Sequence, residues 1–279
     1  MRIPYDHAAR SHLLIDFLEK HDKENKFDLI DMCSGSGSFL IWSIKRGLFF
    51  KKNILIDNDI NLLKSVKSNL RKYLKNVSNI KSNTNNMSLT INYKNKDKSS
   101  VSIMKYDCDN FSIKDSQPYV ISYSAAVDLM SKSSIDKSIK LIKDNNILFF
   151  SLCFDGSVKW TPSHPYDKYI LSFFNNHQQS DKGFGTALGY KSIDYIKKKV
   201  NKLGLKIEIT NSPWIVRNKL QDDIIFMKRY LLDIKKSLFH MDGIDKTMLR
   251  QWYADKHESI ECKKVKLLVG HKDILIHKQ

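Results

Sequence analysis

The segment 27–40 combines an apolar run, a Gly-x-Gly turn and the start of a helix. Asp31 lies near the end of the apolar run, and Gly35 and Gly37 follow it. Glycine is needed in such a turn because a Cβ would obstruct the close approach of a ligand to the backbone amides. Twenty residues past Gly37 a second apolar run ends in Asp57, the spacing at which a Rossmann-like fold presents a carboxylate to a ribose. Together these signals predict a nucleotide-type site.

The charge at this turn narrows the choice of ligand. A pyrophosphate at the helix N-terminus would lie beside the Asp31 carboxylate, and that contact is repulsive. S-Adenosylmethionine carries a sulfonium and an ammonium, so the same carboxylate would attract it, and Asp57 can accept hydrogen bonds from both ribose hydroxyls. The turn also has Leu40 in place of the third glycine of G-x-G-x-x-G and has no P-loop lysine. These residues resemble the first motif of the class I S-adenosylmethionine-dependent methyltransferases, acid-x-x-x-Gly-x-Gly.

Further motifs are similar to those of a group of bacterial class I methyltransferases whose substrate is unassigned. They are Pro-Tyr-Asp-x-Ala-Ala-Arg at 4–10, Phe-Asn-x-His-Gln-x-x-Asp-Lys-Gly-Phe-Gly-x-Ala-Leu-Gly at 174–189, Ser-Pro-Trp at 212–214 and Val-Gly-His-Lys-Asp at 269–273. The resemblance extends over nearly the whole chain. It departs from the group at 33–37, where Cys-Ser-Gly-Ser-Gly stands in place of Gly-Ala-Gly-Thr-Gly.

The order of apolar and amphipathic segments predicts an α/β fold, because strand, helix and strand alternate along the chain. We expect a Rossmann-like, doubly wound, mostly parallel seven-stranded sheet with an antiparallel end strand and a helical insertion. Residues 76–100, rich in Asn, Ser and Lys, predict a loop and a peripheral hairpin. We expect a single domain with these parts: an N-terminal helical cap (1–26), an S-adenosylmethionine-binding core (27–153), a substrate or lid loop (154–189), the rest of the core (190–216), a helical insertion (217–260) and a terminal β-hairpin (261–279).

The resemblance implies a set of cofactor contacts near the carboxyl ends of the strands. Asp107 follows the third predicted strand, where the family has an acidic residue on the adenine amino group; an N-cap for the next turn is an equal alternative. Cys33 and Cys108 could pack against the cofactor or simply fill the core. The expected cofactor contacts are Asp31, Cys33, Gly35, Ser36, Gly37, Asp57, Asn58, Asp107, Cys108 and Ser124.

The segment 154–189 is dense in His, Trp, Asn, Gln and Gly, and long ordered loops are usually functional. We expect it to cover the methyl donor and to form the acceptor pocket. His177 is the candidate general base and Asp181 would orient it; alternatively the two only hold the loop together. His164, between Ser163 and Pro165, could also shape a turn. The expected acceptor contacts are Tyr123, Trp160, His164, Asn175, Gln178 and Lys182.

Two classes of nucleic-acid methylation are disfavoured by the residues at the end of the fourth predicted strand. The sequence there, Ser-Tyr-Ser-Ala-Ala at 122–126, has neither Asp/Asn-Pro-Pro-aromatic nor Pro-Cys. The net charge of +17 comes from 40 lysines and 7 arginines, and these lysines are dispersed, whereas bidentate phosphate or base contacts favour arginine. We therefore expect a small-molecule metabolite as acceptor and no specific nucleic acid. An RNA or protein methyltransferase and a non-catalytic cofactor-binding module stay open as alternatives.

The remaining composition predicts a cytoplasmic protein. No apolar run approaches the roughly 18 residues of a membrane span, and the N-terminus does not resemble a signal peptide. The cysteines at 33, 108, 153 and 262 form no C-x-x-C pair, so the sequence indicates neither a zinc site nor a disulfide framework.

Overall fold

The structure is a computed structural model, and it describes residues 2–24, 26–75, 77–82, 87–95, 97–142, 145–181 and 183–278. The helices are α1 (Ile3–Ala9), α2 (Leu13–His21), α3 (Ser38–Lys45), α4 (Ile60–Lys64), α5 (Val66–Tyr73), α6 (Lys132–Ile139), α7 (Asp167–His177), α8 (Ser192–Lys202), α9 (Gln221–Leu238) and α10 (Lys246–Glu261). The strands are β1 (Asp28–Met32), β2 (Lys52–Asp57), β3 (Val77–Ser82), β4 (Ser88–Tyr93), β5 (Lys98–Lys105), β6 (Tyr119–Ser124), β7 (Ile147–Thr161), β8 (Lys206–Asn211), β9 (Trp214–Val216) and β10 (Lys266–His277). In the described part of the chain, no helix is both long and apolar enough to cross a membrane.

One sheet contains all the described strands, in the order β3-β4-β5-β2-β1-β6-β7-β10-β8, with β9 paired to β10. Its centre, β5-β2-β1-β6-β7, is parallel throughout. β10 runs antiparallel between β7 and β8. The stretch from β5 to β8 confirms the expected mostly parallel seven-stranded Rossmann-like sheet, with its antiparallel strand one place in from the edge. β3 and β4 add the expected peripheral antiparallel pair.

Alternation along β1 distributes its side chains between the two faces of the sheet. Leu29 belongs to the apolar cluster formed with α2, α3 and α5, whereas Ile30 belongs to the cluster formed with α6 and α8. All five residues of β1 are buried, as expected of a parallel strand covered by helices on both faces. At β1 the order of the strands reverses, which leaves a crevice at the carboxyl ends of β1 and β6.

The prediction of a lid loop at 154–189 is wrong. β7 continues to Thr161, and α7 occupies Asp167–His177. The outer half of β7 pairs with β10, and its apolar side chains Val158 and Trp160 pack into a third cluster with α7, α9 and α10. This burial explains why much of a segment rich in polar residues forms regular structure; the described residues of the connections before and after α7 are irregular.

The expected terminal hairpin at 261–279 is also wrong. β10 is one strand from Lys266 to His277, with register shifts against β7 near Gly270 and near Asp273. Gly270 is required there by close packing rather than by a turn, because a Cβ on it would lie 2.1 Å from Ser157 Oγ. The predicted helical insertion contains α9 and α10, which pack on the outer part of β7 and β10.

Candidate functional site

A cavity of about 340 Å³ opens at the crevice beside the carboxyl end of β1. It is enclosed by the N-terminal helix α1, the turn after β1, the start of α3, the helices α4 and α5 and the end of β6. The lining residues are Arg2, Ile3, Asp6, Arg10, Cys33, Ser34, Gly35, Ser36, Ser38, Phe39, Leu62, Asn69, Lys72, Tyr73 and Ser124. The cavity therefore lies where the sequence predicts a nucleotide-type site.

The glycine turn joins the two sequence signals directly. Gly35 and Gly37 have φ values of +53° and +80°, a conformation that costs glycine little. The Gly35 N–H donates to Asp57 Oδ2 at 2.8 Å, while Asp57 Oδ1 accepts from the Asp59 N–H at 2.9 Å. A Cβ on Gly37 would lie 3.3 Å from Val66. The carboxylate at the end of β2 thus holds the turn at the end of β1 against the cavity.

Asp31 is a completely buried carboxyl group in this part of the sheet. Ser122 Oγ donates to its Oδ1 at 2.5 Å, and its Oδ2 is buried without a hydrogen-bond partner among the described residues. Burial raises the pKa of Asp31 to about 7, although the Ser122 hydrogen bond and the Arg10 charge act in the opposite direction. Asp31 consequently changes charge near neutral pH.

Arg10 is a functional candidate that the sequence reasoning missed. It is buried at the end of α1, and its Nη2 donates to Ser124 Oγ at 2.6 Å and to Ser38 Oγ at 3.3 Å. Its guanidinium carbon lies 5.7 Å from the centre of the Phe39 ring. Asp6, also missed, is 1% exposed and accepts from Arg2 Nε through Oδ2 at 3.1 Å. Both residues belong to the Pro-Tyr-Asp-x-Ala-Ala-Arg motif, and this motif is the feature of the sequence that could have identified them.

Four buried polar atoms in this region lack a hydrogen-bond partner among the described residues: Asp6 Oδ1, Arg10 Nη1 and Ser34 Oγ, on residues that line the cavity, and Asp31 Oδ2, on a residue that does not. Buried polar atoms in folded proteins are nearly always paired. The set includes a cationic donor and two carboxyl oxygens. It therefore suits a ligand that carries a negative and a positive group close together.

The structure brings the predicted cofactor contacts at the glycine turn together beside the cavity. Cys33, Gly35, Ser36 and Ser124 line the cavity, and Gly37 begins α3 beside it. Asp57 adjoins the cavity through its hydrogen bond with the Gly35 N–H. Asp31 does not line the cavity, but it interacts electrostatically with the lining residue Arg10. Asn58 is exposed next to Asp57.

The predicted contacts after β5 have local roles in the structure. Asp107 is exposed, and its carboxylate accepts from the Asp109 N–H at 2.9 Å and from Asn110 Nδ2 at 2.7 Å. It thus caps the short 3₁₀ turn Cys108–Asn110, which is the alternative that the sequence left open. Cys108 is buried, with its Sγ 3.6 Å from Cys33 Sγ. The Cys108 hydrogen bond and burial raise the pKa of the Cys33 thiol.

Most of the predicted acceptor contacts lie away from the cavity beside β1. Tyr123 is buried in the core beside Phe150, with ring centres 5.5 Å apart. Trp160 packs edge-to-face on Trp252 of α10 at 6.4 Å, and His164 Nε2 lies 3.0 Å from Asp255 Oδ2 of the same helix. Trp160 and His164 thus attach β7 and the following turn to α10. Acceptor binding by Tyr123, Trp160 and His164 stays a prediction.

The remaining predicted acceptor residues lie on or after α7. Asn175 Nδ2 donates to the Gly156 carbonyl oxygen at 3.0 Å, which ties α7 to β7. Gln178 lines a second cavity, described below. Lys182 lies outside the described residues.

The candidate catalytic pair lies at the end of α7. His177 is the last residue of that helix and is half-buried. Asp181 is exposed, and its Oδ1 accepts from the Gly183 N–H at 2.7 Å. The carboxylate is thus engaged in its own turn, as the loop-stabilising alternative requires. Catalysis by His177 and Asp181 stays a prediction.

Comparisons with known proteins support the fold. No family model and no curated protein matches the chain. Among solved structures, YcgJ from Bacillus subtilis has a TM-score of 0.50 at 10% identity and covers 96% of this chain and 99% of its own. A methyltransferase from Thiobacillus denitrificans with bound S-adenosylhomocysteine has a TM-score of 0.45 at 12% identity, with 100% and 97% covered. At 10% identity the likeness to YcgJ concerns the fold alone.

Proposed function

We propose that the cavity beside β1 binds S-adenosylmethionine and that the protein transfers the methyl group to a small molecule. The observation that supports this proposal most is the set of buried, unpartnered polar atoms on Asp6, Arg10 and Asp31. The aminoacyl end of S-adenosylmethionine has a carboxylate, which suits Arg10, and an ammonium, which suits the two carboxyl groups. Asp57 would accept hydrogen bonds from the ribose hydroxyls, as the sequence motif implies.

The same charges disfavour a dinucleotide. Its pyrophosphate would have to lie beside the buried carboxyl groups of Asp6 and Asp31, at a high electrostatic cost. The bound cofactor would supply a methyl group on a sulfonium, which reacts by in-line displacement. The protein then needs mainly to hold the donor and acceptor in line and to keep water out. Arg10, buried beneath α1, would fix the aminoacyl end for this purpose.

A transfer assay tests this function. Purified protein with methyl-labelled S-adenosylmethionine is supplied separately with a filtered small-metabolite extract, with RNA and with a protein extract. We expect label in the small-metabolite fraction, and we expect Asp57→Asn to lower its yield because ribose binding is weakened. Labelling confined to RNA or protein would contradict the acceptor class. Donor binding without transfer to any fraction would instead indicate a non-catalytic binding module.

The affinity for S-adenosylhomocysteine, which retains the ammonium and carboxylate, is expected to depend on pH through Asp31. Its pKa of about 7 means that the carboxylate becomes protonated as the pH falls through 7, and the ammonium then loses an attractive partner. The affinity should fall by up to about tenfold per pH unit below 7. Calorimetric titrations between pH 5.5 and 7.5 measure this slope. Asp31→Asn should flatten it, and an unchanged slope in that variant would exclude Asp31 as the cause.

A further inference from the structure

A second cavity, of about 310 Å³, lies beside the first. It is bounded by α7, β9, α9 and the residue that precedes α1. Its lining residues are Arg2, Phe174, Gln178, Trp214, Phe226, Arg229, Tyr230, Asp233, Ile234 and Ser237. Arg2 also lines the first cavity. One side chain therefore stands at the junction of the two cavities.

Aromatic rings dominate the wall formed by β9 and α9. The faces of Phe226 and Tyr230 are parallel, with an interplanar angle of 3° and ring centres 6.4 Å apart. Both stand edge-to-face with Trp214, whose ring centre is 5.4 Å from that of Phe226 and 6.3 Å from that of Tyr230. Such rings gain most from a planar aromatic partner, because stacked and edge-to-face contacts add to the burial of apolar surface. A cavity of this size is at the small end of ligand sites.

Positive charge lies at the rim of this aromatic wall. The Arg2 guanidinium carbon is 5.7 Å from the Trp214 ring centre, and Arg2 Nε donates to Asp6 Oδ2 at 3.1 Å. The Arg2 side chain is 51% exposed, so its terminal nitrogens can reach a ligand. Arg229 pairs with Asp233 at 3.1 Å. With Arg2 and Arg229 positive and Asp233 negative, the lining has a formal charge of +1.

An unpartnered donor also adjoins this wall. Trp214 is 6% exposed, and its Nε1 is buried without a hydrogen-bond partner among the described residues. An indole N–H normally finds a partner when it is buried. Neither Trp214 nor Arg2 takes part in the cofactor contacts that the sequence predicts.

We propose that this second cavity is the acceptor site of the methyl transfer proposed above, and that it takes a planar aromatic molecule with an anionic group. The ring system lies against Trp214, Phe226 and Tyr230. Arg2 holds the anionic group at the junction with the donor cavity. This assignment rests on the proposed methyltransferase function.

Binding of three small probes tests the class of acceptor. In the presence of S-adenosylhomocysteine, 2-naphthoate is titrated into the protein and followed by ligand-observed NMR. We expect at least fivefold weaker binding of 2-naphthol, which lacks the carboxylate, and at least tenfold weaker binding of cyclohexanecarboxylate, which lacks the aromatic rings. Arg2→Gln should reduce the preference for 2-naphthoate over 2-naphthol to near unity. Equal binding of all three probes, or an unchanged preference in Arg2→Gln, would overturn the proposal.

Variants that fill the cavity test its location. Ser237→Trp introduces a large side chain from α9 and should weaken 2-naphthoate binding by at least twentyfold, with the affinity for S-adenosylhomocysteine unchanged. Lys236→Trp is the matched control, because Lys236 is the exposed neighbour on α9 and does not line the cavity. Gln178→Trp fills the cavity from α7 and should have the same effect if Ser237→Trp does not fold.

The outcomes separate the two proposals. If the wild-type protein binds S-adenosylhomocysteine and both filling variants leave 2-naphthoate binding unchanged, this acceptor assignment is wrong while the proposed function stands. If the wild-type protein does not bind S-adenosylhomocysteine, the proposed function fails and the acceptor assignment fails with it.

Discussion

Replacing Arg10 with methionine is expected to weaken the binding of S-adenosylhomocysteine about 30- to 150-fold. The loss corresponds to roughly 2 to 3 kcal/mol, the typical contribution of hydrogen bonds to a charged group. Arg10 is buried and already held by Ser38 and Ser124, so its unpartnered Nη1 can bind a carboxylate without the cost of ordering a flexible side chain. Isothermal titration calorimetry on the wild-type protein and the variant gives the ratio directly.

Two further variants keep this result interpretable. Arg46→Met removes an exposed arginine that follows α3 and does not line the donor cavity, and it should leave the affinity unchanged. Arg10→Lys keeps the charge but loses the planar fork, so we expect an intermediate affinity. If a folded Arg10→Met protein, checked by circular dichroism, bound S-adenosylhomocysteine as tightly as the wild-type protein, Arg10 would have no part in the donor site.

Replacing Lys256 with methionine is expected to lower the free energy of unfolding by about 3 kcal/mol. The Lys256 side chain is 3% exposed, and its Nζ lies 3.1 Å from Asp167 Oδ2. Asp167 also accepts from the His164 N–H at 2.6 Å and from Trp252 Nε1 at 2.8 Å. Methionine keeps most of the volume but leaves the part-buried Asp167 carboxylate without its counter-charge. Urea denaturation followed by circular dichroism measures the change.

The control for this prediction is Lys264→Met, because Lys264 is exposed and has no ion pair among the residues described. We expect a change below about 0.5 kcal/mol there. The double variant Lys256→Met with Asp167→Asn should recover part of the loss, since the unpaired charge is gone. A single variant as stable as the wild-type protein would show that this ion pair does not stabilise the attachment of α10.

The glycine turn after β1 could be predicted from the sequence because the residues that determine it are close together in the chain. Gly35 and Gly37 adopt positive φ values that other residues rarely accept, and the spacing to Asp57 follows from one strand-helix-strand unit. Arg10 and Asp6 could not be placed in this way. Asp6 lies on α1, a helix of seven residues, and Arg10 directly follows that helix. Their partners Ser38, Ser124 and Arg2 reveal nothing about the contact with the cavity in the linear sequence.

The segments predicted wrongly depend on partners far away in the chain. The outer half of β7 looks like a loop because the strand β10 and two of the three helices that bury Val158 and Trp160, α9 and α10, come more than fifty residues later. The hairpin predicted at 261–279 needs a turn shortly before Asp273, yet β10 continues through this region and Asp273 is completely buried. Its carboxylate accepts from the Leu152 N–H and from the Ser11 N–H, each at 2.8 Å. The neighbouring sequence alone cannot distinguish a buried polar residue that joins three segments from a polar residue in a turn.

The most direct test of the central claim is a calorimetric titration of the wild-type protein with S-adenosylhomocysteine and, separately, with NAD⁺ in the same buffer. We expect S-adenosylhomocysteine to bind one site per chain with a Kd on the order of micromolar, and NAD⁺ to give no saturable heat. Saturable NAD⁺ binding without any binding of S-adenosylhomocysteine would contradict the account.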